Sequence, residues 1–152
     1  MSEPANILIV EDDRSQRVVL SALLEEEGYK VSACENAEEA LNYIVAKKPL
    51  ELVLSDLNLP DGTGLQILWT LRKINPDVVF MLITGHGTLE TAMAAVNEGA
   101  YAFHVKPVDV DAVKLSIRNG LRQQRLAVEN RALLQDLQRV NLELEGKKRE
   151  LE

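Results

Sequence analysis

The sequence predicts an α/β fold, a parallel sheet with helices packed on both of its faces. Short, continuously apolar runs alternate with amphipathic helical stretches through about residue 120. The first run, residues 7–10, is continuously apolar, as expected of a strand that is covered on both faces. Parallel neighbours also require crossover connections, which are right-handed and usually helical.

Five segments are predicted to be strands. They cover residues 7–10, 29–34, 50–54, 78–83 and 100–105. A helix over 14–27 follows the first strand and ends at Gly28, which supplies a left-handed stop. Asn36, with a glutamate three residues later, predicts the start of the second helix through a capping box. The segment 57–64 contains one proline and two glycines and is predicted to be a loop.

The second half of the domain repeats this alternation. The third helix is predicted to end at Asn75, before a proline that cannot continue it. A loop at 85–87 follows the fourth strand, and Thr88 caps a helix that Gly99 closes. Pro107 breaks the fifth strand, and Asp109 caps the last helix of the domain. Together the strand–helix pairs predict a flavodoxin-like doubly wound sheet with the strand order 2-1-3-4-5.

Beyond about residue 120 the strand signals disappear, which divides the chain into a domain over 1–120 and a helical extension over 121–152. Positions in the extension alternate spacings of four and three residues, the repeat of a coiled-coil seam. The seam consists of Leu126, Asn130, Leu133, Leu137, Val140, Leu144, Lys147 and Leu151. No turn residues separate the extension from the last domain helix, so we expect one continuous helix.

The seam predicts a homodimer through a parallel coiled coil. Asn130 at a core position lowers stability but favours two parallel strands in one register. The alternative is a surface helix that folds back on the domain. Because the chain ends at Glu152 inside this helix without a cap, we expect the front part of a longer protein or a shortened form of one.

Composition and charge exclude several classes of function. A net charge of −7 argues against direct binding of nucleic-acid phosphates and against adhesion to an anionic membrane. No apolar run approaches the ~20 residues that span a bilayer. The single cysteine, Cys34, cannot form an internal disulfide and favours a reducing compartment. We therefore expect a cytoplasmic protein.

Polar residues follow the apolar runs at several predicted strand ends. They are Glu11 and Asp12 after the first, Asp56 after the third, Thr84 after the fourth and Lys106 after the fifth. Ligands of open parallel sheets bind beyond the carboxyl ends of the strands, so these side chains are expected to share one pocket. Two carboxylates ~5 Å apart repel by roughly 3 kcal/mol at an effective dielectric constant of ~20. A divalent cation removes this cost, and all-oxygen ligands favour Mg²⁺.

Each residue of the predicted pocket has a chemical role there. Asp56 ends the central strand and could attack a phosphoryl group to form an acyl phosphate. Lys106 offers a mobile positive charge to Asp56 or to a phosphoryl oxygen, and Thr84 can donate its hydroxyl. The backbone carbonyl of Asn58 is a candidate fourth metal ligand. Taken singly, each has an ordinary explanation as a helix cap, a turn residue or a solvated charge.

Two enzyme classes are alternatives to a signalling function. A flavodoxin-like nucleotide-binding enzyme needs a Ser/Thr/Gly-rich phosphate loop after the first strand, where this chain has three acidic residues, 11–13. An aspartate-nucleophile phosphatase of the haloacid-dehalogenase type usually places its nucleophile after the first strand. Here the candidate, Asp56, follows the third.

Residues 5–119 resemble the receiver domain of two-component response regulators. The matching motifs are Glu11-Asp12, Asp56 with Pro60 and Gly64 in D-x-x-x-P-x-x-x-G, Thr84, and Lys106-Pro107. The resemblance implies that Asp56 is the phospho-acceptor and is phosphorylated by a sensor histidine kinase or by small phosphodonors. It also implies Mg²⁺ bound by Asp12, Asp56 and the Asn58 carbonyl, with Glu11 as the first acidic residue of the set. No enzymatic activity beyond self-phosphotransfer and autodephosphorylation is expected.

The resemblance also implies a conformational switch. Phosphorylation adds about −1.5 to −2 charge beside Thr84 and Lys106. In receiver domains an aromatic residue three positions before the lysine moves when the threonine is drawn inward, and here that residue is Phe103. Phenylalanine has no hydroxyl, so only its packing can report the change. The alternative is that Phe103 is an ordinary core residue.

Overall fold

The computed structural model describes residues 3–85 and 89–151. The strands are β1 Asn6–Val10, β2 Lys30–Cys34, β3 Leu52–Asp56, β4 Asn58–Leu59, β5 Gly62–Thr63, β6 Val79–Thr84 and β7 Ala102–Val105. The helices are α1 Arg14–Glu26, α2 Ala37–Val45, α3 Gly64–Ile74, α4 Leu89–Asn97 and α5 Val110–Leu151. The predicted cap at Thr88 and the loop residues His86 and Gly87 lie outside the described residues.

The sheet has the predicted topology. Five parallel strands lie in the order β2-β1-β3-β6-β7. Because β6 and β7 are the fourth and fifth long strands of the chain, this confirms the predicted order 2-1-3-4-5. The predicted loop over 57–64 contains a short antiparallel hairpin of β4 and β5. Strands of two residues are too short to have a hydrophobic period, so this hairpin left no signal in the sequence.

The sheet separates two hydrophobic layers. One face packs against α2, α3 and α4, and the other packs against α1 and the first part of α5. The central strand β3 is buried along its whole length, and its alternate residues enter opposite layers. β3 begins two residues later than predicted and ends on Asp56 itself, so the candidate acceptor belongs to the rigid sheet.

The helix ends are capped by side chains or by glycine, at Gly28 and Asp109 as predicted. Asp13 caps α1 by accepting from the Gln16 N–H at 3.0 Å, and Gly28 after α1 has a φ of +95°. Asp109 likewise accepts from the first turn of α5. One cap was not predicted: Asp61, between β4 and β5, accepts from two backbone N–H groups at the start of α2. These bonds fix the loop beyond Asp56 to its neighbouring helix.

Helix α5 runs without interruption from the domain to Leu151, as the sequence predicts. Ile117 and Leu121 are buried against the sheet, and Gly120 packs so closely that an added Cβ would lie 3.1 Å from Met81 and Val79 side-chain atoms. Every side chain from residue 125 to 149 is exposed. From residue 125 to 149 α5 therefore buries no side chain on the domain, in contrast to the fold-back alternative, whereas Leu121 at the start of the predicted extension is buried.

No helix within 3–85 and 89–151 is both long enough and apolar enough to cross a bilayer.

Candidate functional site

The predicted site residues converge at one end of the sheet. Glu11 directly follows β1, Asp56 and Thr84 are the last residues of β3 and β6, and Lys106 directly follows β7. The registers Val10↔Ser55, Asp56↔Ile83 and Thr84↔Val105 keep these strand ends level with one another. Residues separated by as many as 95 positions therefore meet in one pocket.

Lys106 joins two acidic side chains. Its Nζ lies 2.7 Å from Asp56 Oδ2 and 3.2 Å from Glu11 Oε1. The Glu11 side chain is 1% exposed and that of Asp56 9%, whereas Lys106 reaches the site from the pocket mouth with 29% exposure. The peptide bond between Lys106 and Pro107 is cis. The pocket thus holds two buried carboxylates and one partly solvated ammonium group.

The electrostatics of the pocket follow from this burial. Burial, together with the hydrogen bond and negative charge of Asp56, raises the pKa of Glu11 to about 7, although Lys106 acts to lower it. Burial alone would lower the pKa of Lys106, but its hydrogen bonds and ion pairs with Asp56 and Glu11 raise it overall. A second cation would therefore be bound favourably.

The acidic residues have a geometry that suits such a cation. Glu11, Asp12 and Asp56 each offer one carboxylate oxygen, and these oxygens lie within 4.8 Å of one another. Asp12 is exposed, whereas Glu11 Oε2 is buried without a hydrogen-bond partner. Three carboxylates, one of them with an unsatisfied buried oxygen, fit a hard divalent cation. Asn58 lies beside them, with its N–H 3.3 Å from Asp56 Oδ1, and the ligand role of its carbonyl stays a prediction.

The two predicted switch residues lie at different depths. Thr84 is fully buried, and its Oγ1 is 3.2 Å from the Gly85 carbonyl oxygen. The Lys106 backbone N–H donates to the Thr84 carbonyl at 2.8 Å, which ties the two strand ends together. Phe103 is partly buried and packs against the layer beneath α2, α3 and α4. Its proposed movement is not tested by this geometry.

Three supporting residues were not assigned a role from the sequence. Arg17 Nη1 donates to the Glu11 carbonyl at 2.8 Å and so holds the acidic loop. Ser55 Oγ donates to the Asp56 carbonyl at 2.9 Å. A Cβ at Gly64 would lie 2.7 Å from that same carbonyl, so the glycine allows α3 to begin against the site. Gly64 stood in the quoted motif, but nothing in the pattern marked Arg17 or Ser55.

Comparison with known proteins agrees with this geometry. Residues 7–118 match the family model of the response regulator receiver domain. The chain belongs to this family. The match favours a signalling module over the phosphatase and the flavodoxin-like nucleotide-binding enzyme considered above.

Individual relatives are similar to this chain over most of its length. The transcriptional regulatory protein GlrR of Escherichia coli is 33% identical over 85% of this chain, and the C4-dicarboxylate transport regulator DctD of Rhizobium meliloti is 35% identical over 88%. This chain spans 29% of the length of each. The solved structure of the adenylate cyclase from Rhodopirellula baltica has a TM-score of 0.82 at 33% identity, and the match covers 87% of this chain and 98% of that one. Similar chains thus occur in proteins named as transcriptional regulators and in one named as an adenylate cyclase.

Proposed function

We propose that this receiver accepts a phosphoryl group on Asp56 from a sensor histidine kinase and passes the change to a homodimer through α5. The observation that carries this function is the contact of Lys106 Nζ with Asp56 Oδ2 at 2.7 Å in a pocket with two further carboxylates. A cytoplasmic location belongs to the same proposal and is supported by the single, buried Cys34.

In the proposed reaction an Asp56 carboxylate oxygen forms a bond to phosphorus while the P–N bond to the kinase imidazole breaks. The electron pair of that bond stays on the imidazole nitrogen, and the product is an acyl phosphate. Lys106 faces the incoming phosphoryl oxygens, and the Thr84 hydroxyl can donate to one of them. Mg²⁺ bound by Glu11, Asp12, Asp56 and Asn58 would supply positive charge between the carboxylates and the phosphoryl group.

The surface beside the pocket supports a protein phosphodonor. A groove of about 350 Å³ lies between α1 and the segment after β7, and Lys106 is one of its lining residues. Val19, Leu23 and Pro107 give it an apolar wall next to the acceptor. We propose that the kinase domain carrying the phosphohistidine binds here.

Two adjacent valines allow this interface to be tested. Val18 and Val19 are 58% and 56% exposed, but only Val19 lines the groove. Val19→Glu should slow transfer from a kinase that phosphorylates the wild type, and should leave labelling by acetyl phosphate unchanged. Val18→Glu is the matched control. Equal loss in both variants would contradict the assigned surface.

The conformational response can be followed at the only tryptophan, Trp69. Its indole N–H donates to Glu98 Oε2 at 2.8 Å, which connects α3 to the residue after α4. If Thr84 and Phe103 shift on phosphorylation, α4 moves relative to α3 and Trp69 fluorescence changes. Phe103→Leu should weaken this change without preventing phosphorylation. An unaltered response in Phe103→Leu would favour an ordinary core role for the phenylalanine.

The central experiment is incubation with acetyl phosphate and Mg²⁺ followed by intact-mass measurement. The wild type should gain one phosphoryl group, and Asp56→Asn or removal of Mg²⁺ should abolish the gain. Asp61→Asn is the matched control, because Asp61 is a nearby exposed aspartate that caps α2. An unmodified wild type, or a modified Asp56→Asn, would overturn the proposed function.

A further inference from the structure

Helix α5 presents one face to the receiver well beyond the core of the domain. Ile117, Gly120 and Leu121 pack on the sheet. Gln124 and Arg131 continue this face, and both line a groove that also contains Asp77. Positions 117, 120, 124 and 131 recur at intervals of three, four and seven residues, which places them on one side of a helix.

Farther along this face, Arg131 forms a bidentate ion pair with Asp77. Arg131 Nη1 and Nη2 donate to the two carboxylate oxygens of Asp77 at 2.6 and 2.7 Å. The hydrogen bond from Arg131 lowers the pKa of Asp77. Asp77 lies between α3 and β6, so the pair connects the extension directly to the receiver. Arg131 lies eleven residues past Gly120, or about 16 Å along the helix at 1.5 Å per residue.

The predicted seam lies on a different face of α5, and its residues Asn130 and Leu137 are about 100–120° around the helix axis from Arg131. Leu126 and Leu133 each follow a receiver-facing residue, Gln124 and Arg131, by two positions, which is about 200° around the helix axis. The leucines are 54% and 61% exposed, and Leu137 is 59% exposed. The side of α5 that holds the receiver is therefore not the side that would bind a second helix.

Charges beside the seam favour one orientation of that second helix. The positions directly preceding core residues 130, 137 and 144 are Glu129, Asp136 and Glu143. In an antiparallel pair these acidic rows would face each other, and like charges in register are unfavourable. In a parallel pair each row faces the other flank of the partner helix, which carries Ala127, Leu134, Asn141 and Lys148.

We propose that the Arg131–Asp77 pair positions α5 so that the two receivers of a dimer lie on opposite outer sides of a parallel coiled coil. The seam forms the only contact between protomers near the receivers, and the receivers do not touch. Arg131 is a positioning residue in this arrangement, because it fixes the direction in which the seam faces. The arrangement presupposes the dimer of the proposed function.

The distance between the two receivers tests this arrangement. A spin label on Met93→Cys, an exposed position of α4, reports it in the full chain, since burial raises the pKa of Cys34 to about 12 and protects that thiol. With paired helix axes about 10 Å apart and the receivers outside them, the labels should be more than about 30 Å apart. Receivers in contact through α4 would bring the labels within about 20 Å, because packed helices lie about 10 Å apart.

The ion pair is tested with matched arginines. Arg131→Gln should broaden the distance distribution, and Asp77→Arg combined with Arg131→Asp should narrow it again. Arg139→Gln is the control, because among residues 3–85 and 89–151 Arg139 pairs only with Asp136 of its own helix, at 3.6 Å. A distribution that Arg131→Gln leaves unchanged would overturn the positioning role.

Sedimentation of the same samples shows whether the proposed dimer or only the proposed arrangement of its receivers is wrong. A dimer with short label distances overturns the outward arrangement and leaves the proposed dimer intact. A monomer overturns the dimer and the arrangement together. The phosphorylation of Asp56 is tested separately, by the intact-mass measurement. A dimer with long distances supports both.

Discussion

The acidic pocket and the helical extension each contain an ion pair of almost the same length in very different surroundings. Lys106 and Asp56 are 2.7 Å apart with side-chain exposures of 29% and 9%, whereas Arg131 and Asp77 are 2.6 Å apart with 54% and 26%. The pocket pair is enclosed, so removing one partner leaves charge with little solvent to stabilise it. The extension pair is open to water and ions, and therefore contributes little to stability. Burial, rather than the distance between the charged atoms, determines how much each ion pair contributes to stability.

Removal of the lysine should have the largest effect. Lys106→Gln withdraws the positive charge that faces the incoming phosphoryl group, so the rate of phosphorylation by acetyl phosphate should fall about 10²–10³-fold. The same change leaves three carboxylates without an ammonium group, so Mg²⁺ should bind more tightly. Lys114→Gln is the matched control, because Lys114 pairs with Glu27 at 3.0 Å outside the pocket. Weaker Mg²⁺ binding by Lys106→Gln would contradict this account of the pocket's charge.

The extension can be tested with two exposed leucines of one helix. Leu137 lies on the seam and Leu142 does not, although they are 59% and 70% exposed. Leu137→Asn should weaken dimerisation about 100-fold, because two leucines lose about 1.5 kcal/mol of burial each. Leu142→Asn should leave the sedimentation profile unchanged. If both variants weaken the dimer equally, the seam is assigned to the wrong face.

Replacing glycine by alanine should have opposite effects on stability in the two regions. Gly64→Ala places a Cβ 2.7 Å from the Asp56 carbonyl and 3.0 Å from Leu82, and should lower the free energy of unfolding by about 1–3 kcal/mol. Gly146→Ala meets nothing within 4 Å and should stabilise the exposed helix by about 0.5–1 kcal/mol. Helix content on heating checks Gly146, and denaturant unfolding checks Gly64. A neutral Gly64→Ala would show that α3 can move away from the site.

The acidic pocket and the helical extension were predicted from the sequence where a hydrophobic period or a local residue pattern marked them. The buried strands have continuous apolar runs, and polar residues at their ends identified Glu11, Asp56, Thr84 and Lys106 as neighbours. The seam has its own repeat, and the unbroken α5 confirms the continuous helix. The homodimer itself stays a prediction.

The contacts made by Arg17, Asp61 and Arg131 were not predicted. The bonds of Asp61 to the start of α2 and of Arg131 to Asp77 depend on how two remote segments pack, and the bond of Arg17 to the Glu11 carbonyl depends on the path of the loop after β1. An exposed arginine or aspartate has many equivalent partners in a sequence, and no period distinguishes them. The position of β3 was predicted two residues early for a related reason, because Ser55 and Asp56 are polar yet belong to a buried strand.

The free energy of unfolding should depend on pH through the protonation of Glu11. Its pKa is raised from 4.5 to about 7 by burial and by Asp56, so between these values the folded protein holds a proton that the unfolded chain releases. The contribution to stability is therefore largest below pH 4.5 and is lost as the pH rises to about 7. Denaturant unfolding in EDTA should show this decline in the wild type. Glu11→Gln should remove that part of the slope, and an unchanged slope would assign it to another group.

The smallest effect on stability is expected at Arg131. Its ion pair with Asp77 is exposed to solvent, so water and salt replace most of what Arg131→Gln removes. Denaturant unfolding should not distinguish this variant from Arg139→Gln, whereas Lys106→Gln should differ clearly from Lys114→Gln. A marked loss of stability in Arg131→Gln would mean that the extension is part of the receiver's folding unit. The boundary near residue 120 would then have to move to Arg131 or beyond.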